Sequence, residues 1–311
     1  MKLGKVLLAA SALTLALSGS LSAAEVKKIG LAVPNLQADF FNQIKLGVEN
    51  YAKEKGIEVV VVDAKGDANT QVSQVQDLLT QGIDAFIYIP AGAAAAAVPT
   101  RLAREAKIPV INVDRFPEGE PGDTFIGGEG VESSYQVCKY IIEKAGGAGN
   151  MAMIHGQKGT TPEVDRTNGC MKAIGEHPDV KLVDEQWTNS WSADEGFSIT
   201  QNLLQAHPDL KIIFGQADGI AMGAAKAVEG ANLASQVVIG GYDGDGSALE
   251  YLAKCSGPFT VTATQSTRSM GRLAVDSAIA VAKGEKVEAS QVSKAVLTPC
   301  DKAAEFIANH P

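Results

Sequence analysis

The chain has 311 residues, is 45% hydrophobic and 20% charged, and carries a formal net charge of -9. That composition suits a globular protein of about two domains, each long enough to bury a core. The acidic balance, without clustered Lys or Arg, argues against a nucleic-acid partner, whose phosphates reward basic patches.

The first stretch, MKLGKVLLAASALTLALSGSLSAAEVKK, opens with Lys2 and Lys5 and continues into an apolar run over 6–17. Ser22 and Ala24 then occupy positions that a signal peptidase prefers, so residues 1–24 read as a cleaved signal peptide and the mature chain as exported. The apolar run is too short for a permanent membrane span, and no Cys follows it to carry a lipid.

From residue 28 onward, short β-branched runs alternate with helical stretches. KIGLAV reads as a strand and FFNQIKLGVENYAKEKG as a helix, with Phe41, Ile44, Val48 and Tyr51 on its apolar face and Gly56 as C-cap. Adjacent residues cannot share one helix face, so Phe41 is assigned to the core and Phe40 is left for a cleft. EVVVVD, AFIYIP and PVINVD read as strands separated by the helices NTQVSQVQDLLTQG and AAAAAVPTRLAREAK. A second series starts near Gly127 and Gly128: helix VESSYQVCKYIIEKAG, strand NMAMIHG, helix PEVDRTNGCMKAIGEHP and strand KLVDEQW. Helix ADEGFSITQNLLQAHP, strand KIIFGQ, helix GIAMGAAKAVEG, strand VVIGGYD, helix GSALEYLAKC and strand FTVTATQ follow. The closing segment reads as helix SMGRLAVDSAIAVAKG and a single strand QVSKAVL.

Continuous apolar strands alternating with helices predict parallel sheets covered on both faces. Open parallel sheets bind ligands beyond the carboxyl ends of their strands, where Asp114, Arg115 and Asp243 fall. Two such sheets would place a ligand between lobes.

An exported chain can oxidise its four cysteines, which allow three connectivities. Pairing neighbours in sequence gives Cys138–Cys170 and Cys255–Cys300. None lies in a CxxC, and His155, His177, His207 and His310 lack metal spacing, so each His reads as a loop or surface residue. Trp187 reads as packing, and Asp218 and Asp245 as caps of the helices beside them.

The order and spacing of GVENYAKEKGIEVVVVDAKGDANTQVSQVQDLLTQGIDAFIYIP, IPVINVDR, GQADGIAMGA, VVIGGYDG and TATQSTRSMG resemble the periplasmic sugar-binding proteins of ABC transporters, of the ribose/galactose-binding type. The resemblance runs from about Lys28 to the C-terminal strand. It implies an α/β fold of two Rossmann-like lobes joined by a three-crossover hinge, with the ligand cleft between them. The N-terminal lobe would be 25–127 plus 266–290, and the C-terminal lobe 128–265 plus 291–311. The family implies a non-enzymatic monomer without cofactor or metal, which delivers a monosaccharide or polyol to an ABC permease in the inner membrane and in some members to a chemoreceptor.

Carried over by motif, Asp114 and Arg115 would bind sugar hydroxyls from the first lobe and Arg166 from the second, with Asp243 and Gln265 completing the polar ring. Phe40 or Phe41, with Trp191, would press on the sugar faces. The chemistry agrees: hydroxyls both donate and accept, so carboxylates beside guanidiniums match them, and apolar C–H faces suit aromatic rings. Ala38 and Ala217 stand where the family places polar ligands, which opens the site to deoxy sugars, polyols or inositols. Asn35, Gln37, Asp39 and Gln216 are candidate replacements.

Other classes fit less well. A ligand-gated repressor needs an N-terminal helix-turn-helix where the signal peptide lies. A secreted enzyme such as a glycosidase would find acids in DEQW and ADEG, but no nucleophile–base arrangement emerges from the spacing. GYDGDG is too short for a calcium loop, and IGGEG is neither a Walker A nor a usable GxGxxG. A periplasmic sensor shares all the site logic.

Overall fold

Parallel pairing of buried strands builds two six-stranded sheets in the computed structural model, which describes residues 25–308. The expected signal peptide, 1–24, lies outside the described residues. In the first sheet, β1 (Lys28–Val33) pairs with β2 (Glu58–Asp63) on one side and with β3 (Ala85–Tyr88) on the other. The sheet continues through β4 (Val110–Val113) and β5 (Thr124–Gly128) to β11 (Ser290–Ser293), all parallel. The second sheet repeats the plan. Its order is β7 (Val180–Trp187), β6 (Gly149–His155), β8 (Leu210–Gly215), β9 (Val238–Gly240) and β10 (Phe259–Thr264), closed by antiparallel β12 (Val296–Pro299).

Helices cover both faces, so β3, β4 and β10 are buried along their whole length. On the first sheet, α1 (Asp39–Glu54) and α9 (Thr267–Ala282) pack one face, burying Ile44, Val48, Met270 and Ala274 against Ile29, Leu31 and Val33. Gly47 and Gly271 allow this pair to approach closely: a Cβ on Gly47 would strike the backbone of Arg268, and one on Gly271 the carbonyl of Ile44. The opposite face carries α2 (Ala68–Thr80) and α3 (Ala97–Glu105) through Val75, Leu78 and Ala103. On the second sheet, α4 (Gly130–Lys144) and α5 (Thr161–Gly175) lie together, as do α6 (Ala193–Ala206) and α7 (Asp218–Gly230). The short α8 (Gly246–Leu252) and α10 (Ala303–Ala308) complete that side.

Several elements differ from the sequence expectation. QVSKAVL is two strands, not one: β11 joins the first sheet, and the chain then passes through Lys294 and Ala295 to β12 in the second. The third crossing therefore falls after Ser293 and not at 290/291, because Gln291 is tied to the first sheet by bonds from its Nε2 to Thr124 Oγ1 (3.1 Å) and Ser277 Oγ (2.9 Å). The alanine run from 93 to 96 is mostly turn, and α3 begins only at Ala97, with Pro99 in its first turn. Strand β5 has a glycine-rich end and α10 follows the last strand; neither shows the periodicity of its neighbours.

Both expected disulfides form. Cys138–Cys170 fastens α4 to α5, and Cys255–Cys300 ties the segment after α8 to the end of β12, each with Cα atoms 5.2 Å apart. No helix among the described residues is long and apolar enough to cross a membrane.

Candidate functional site

The two sheets share the order 2-1-3-4-5, so each has its switch point between its first and third strands, and loops from the carboxyl edges meet there. A cavity of about 230 Å³ lies between them. From the first sheet it receives Gln37–Phe41 after β1 and Asp114 with Arg115 after β4. From the second it receives Pro162 and Arg166 on α5, the Ser190–Ala193 turn after β7, Ala217 and Gly219 after β8, and Asp243, Asp245 and Ser247 after β9.

Two ion pairs dominate the walls. Arg166 Nη2 donates to Asp243 Oδ1 at 3.0 Å, its Nη1 donates to the Gln216 carbonyl, and its guanidinium lies 3.8 Å from the Tyr242 ring centroid. Arg115 Nε lies 3.6 Å from Asp114 Oδ2, and its Nη1 donates to the Pro90 carbonyl (2.9 Å) and Gln157 Oε1 (3.0 Å). All four side chains are buried, so neither pair is the solvated surface contact worth little. Burial pushes the Asp114 carboxyl above its usual range and Asp243 up to about 7, against the pull of the neighbouring arginines, and lowers Arg115 to about 10.

The backbone is strained where it presents these groups. Asp114 (φ 60°), Trp191 (φ 61°) and Asp243 (φ 123°) all have positive φ, a conformation that side-chain-bearing residues rarely adopt. Sheet bonds hold two of them: Asp114 N–H donates to Ile126 O (2.8 Å) and Asp243 N–H to Ala263 O (3.0 Å). Such strain gathers where a protein orients groups toward a ligand.

The aromatic walls are Phe40, Phe41 and Trp191. Both phenylalanines line the cavity and both are buried, packed edge to face with centroids 5.2 Å apart. The division of Phe41 to the core and Phe40 to the cleft does not hold: the cavity lies off the N-terminal end of α1, not beside its flank, so consecutive first-turn residues both reach it. Arg115 stands over the rings of Phe41 (5.2 Å) and Trp191 (5.8 Å). Trp191 sits against Gly156, where any Cβ would occupy the indole's place.

Of the sequence-nominated residues, Asp39, Phe40, Phe41, Asp114, Arg115, Arg166, Trp191 and Asp243 meet at this cavity. Asn35 does not; its Oδ1 accepts from Gln37 N–H (3.0 Å) in a local turn. Gln265 stands behind Asp243, donating to its Oδ1 (3.1 Å), and lines a smaller adjoining cavity. Gln216 is also absent from the lining: its Oε1 accepts from Gly156 N–H (3.0 Å) and its Nε2 donates to Thr167 Oγ1 (2.8 Å).

Neither acid expected to cap a helix does so. Asp218 is fully buried and accepts from Gly244 N–H (2.8 Å), Asp245 N–H (2.9 Å) and Thr262 Oγ1 (2.6 Å), holding the loop that presents Asp243. Asp245 precedes α8 without bonding its first turn and lines the cavity instead. Its available signal was the GYDGD spacing, two residues past Asp243. His155 is buried, not on the surface, and stacks on half-exposed Trp187 with centroids 4.4 Å apart.

Hydrogen bonds among the described residues bridge the lobes beside the cavity. Arg115 reaches Gln157, Phe116 N–H donates to Thr161 Oγ1 (2.9 Å), and Gly246 N–H donates to Asp39 Oδ2 (3.3 Å). The arrangement encloses a small polar molecule between apolar rings and paired charges.

This geometry has counterparts. The chain is 31% identical to the ribose import binding protein of Salmonella typhimurium over 93% of its length and 96% of that protein's. It is 29% identical to the xylitol-binding protein of Mycolicibacterium smegmatis, over 86% of this chain and 76% of that one. The crystal structure of an ABC transporter solute binding protein from Bacillus halodurans with bound myo-inositol superposes with a TM-score of 0.84 at 25% identity, covering 91% of this chain and 97% of that one. Residues 29–286 match the family described as the periplasmic binding protein domain. With two sheets of one topology, a cleft at their facing carboxyl edges and that match across most of its length, the chain belongs to the periplasmic binding protein family.

Proposed function

We propose that this protein is the solute-binding component of an ABC importer, exported to the periplasm, which captures a monosaccharide or related polyol between its lobes and delivers it to a membrane permease. The observation that carries this is the wall chemistry: Arg115 and Arg166, each beside a carboxylate, together with Phe40, Phe41 and Trp191 around one interlobe cavity. Guanidiniums donate to hydroxyl oxygens, carboxylates accept from hydroxyl hydrogens, and the rings cover C–H faces. Relatives named for ribose and xylitol, and a neighbour holding myo-inositol, support the same ligand class. Catalysis plays no part in this reading; a closing monomer with an emptying cleft suffices.

Selectivity follows from closure. A cleft that strips water from its walls penalises an analogue lacking a matched hydroxyl by about 1–3 kcal/mol, since the protein group is left unpaired. Ala38 and Ala217 supply no side-chain hydrogen bond at the starts of α1 and α7, so the ligand is bound by the charged pairs and rings rather than by amides there. A thermal-shift screen of the purified protein against sugars, sugar acids, polyols and inositols tests the proposal. A ligand at 100 times its Kd adds about 2.7 kcal/mol of stability. Stabilisation by another ligand class with none by any carbohydrate or polyol would overturn it.

A further inference from the structure

The cavity holds more negative than positive side chains, and the excess is localised. Arg115 and Arg166 are each matched by one carboxylate, Asp114 and Asp243. Asp39 and Asp245 also line the cavity, and neither forms a salt bridge among the described residues, unlike Asp114 and Asp243. Asp39 Oδ1 accepts from Gln43 Nε2 (3.0 Å) and Oδ2 from Gly246 N–H (3.3 Å), and its place in the first turn of α1 favours negative charge there. Asp245 has none of this support: its side chain makes no cap bond, and α8 behind it has only seven residues. The bond from Gly246, the residue after Asp245, to Asp39 brings these two carboxylates to the same edge of the cavity from opposite lobes. Burial, together with Asp243, Asp218 and Asp39 nearby, pushes the Asp245 carboxyl well above its usual range.

A second feature defines the rest of the ligand. Arg115 Nε, Arg166 Nε and Trp191 Nε1 are buried donors with no hydrogen-bond partner among the described residues, although both arginine side chains are at least nine-tenths buried. Donors in a cavity wall call for acceptor oxygens on the ligand, and an unmatched carboxylate calls for a cationic donor. Among the described residues no group of three or more His, Cys, Asp or Glu could hold a metal ion.

We infer that the ligand is an amino-substituted sugar or polyol, whose ammonium group sits between Asp39 and Asp245 while its hydroxyls meet Arg115, Arg166 and Trp191. This rests on the reading of the cleft as a carbohydrate or polyol site and narrows it. An ammonium offers three donors and a full charge to two carboxylates, where a hydroxyl offers one donor.

Isothermal titration of matched pairs tests it: glucose against glucosamine, myo-inositol against an aminodeoxyinositol, and ribitol against 1-amino-1-deoxyribitol. Each amine is also compared with its N-acetyl derivative, which keeps the skeleton and removes the charge. At pH 7.5 the amine should bind at least tenfold more tightly than its neutral partner in one pair, and N-acetylation should abolish the gain. Asp245→Asn should bring the amine-to-neutral ratio close to one. Neutral members binding as well as or better than the amines in every pair would overturn the inference and leave the carbohydrate reading standing. A preference that survives N-acetylation or Asp245→Asn would also overturn it. If no member of any pair binds, the inference is overturned, and the wider thermal-shift screen alone decides the carbohydrate reading.

Discussion

Replacing Arg166 with alanine should destabilise the fold as well as empty the site, and the size of the loss should depend on pH. The guanidinium is buried, with its partner Asp243 3.0 Å away and equally enclosed. Removing one member of such a pair costs about 3–5 kcal/mol, mostly because the other charge is left in a poor dielectric. At about 2.1 cal/mol/K of unfolding entropy per residue, that corresponds in a chain of this length to a fall in Tm of roughly 5–8 °C. Asp243 can escape the penalty by taking a proton. Burial already pushes its carboxyl up to about 7 with Arg166 present, and losing Arg166 raises it further. The native state then binds more protons than the unfolded chain, whose Asp titrates near 4, so stability falls as pH rises through that interval. The Arg166→Ala deficit should therefore be largest at pH 8 and smaller at pH 5.5. Circular-dichroism melts and urea titrations of both proteins at the two pH values measure it. A deficit equal at both, or no deficit at pH 8, would refute the account of Asp243 as a buried charge held by Arg166.

Three further outcomes are expected. Phe40→Ala and Phe41→Ala should each weaken ligand binding by about tenfold, the order expected for losing one aromatic contact; titration calorimetry showing that only one matters would restore the core–cleft division. Gly156→Ala should drive the Trp191 indole from its seat, changing intrinsic fluorescence and lowering affinity, because a Cβ there would overlap the ring; unchanged emission and affinity would mean that the indole is not confined there. The disulfides close loops with sequence separations of 32 and 45, and the chain-entropy relation assigns each about 4 kcal/mol; a Cys138→Ala/Cys170→Ala double variant whose urea midpoint matches the parent would contradict that.

Much of the fold was legible because its signals are local. Strand runs such as KIGLAV and FTVTATQ, and helices with apolar residues at the spacing of Ile44 and Val48, carry their period in a few residues. β5 was hidden because TFIGG ends in two glycines, and QVSKAVL appeared as one strand because nothing local marks which sheet each half joins. In the site, Asp114, Arg115 and Asp243 were legible as polar ends of apolar strands. Gln265 was nominated from its motif, yet its reach is spent on Asp243. Asp218 and Asp245 were misassigned for one reason: an acid at a helix start looks like a cap whether it bonds the helix or something across the loop.

By itself the sequence determined the alternation of strands and helices, the two series and most of the polar groups at the strand ends. These follow from residue periodicity and side-chain chemistry, which act over a few positions. Only the tertiary structure decided that both phenylalanines face one cavity, that Asp39 and Asp245 come to one edge of it from opposite lobes, and that the last strands divide between the sheets. Those outcomes depend on distances between residues about 200 positions apart, as in the bond from Gly246 to Asp39, and packing fixes them only once both lobes have formed.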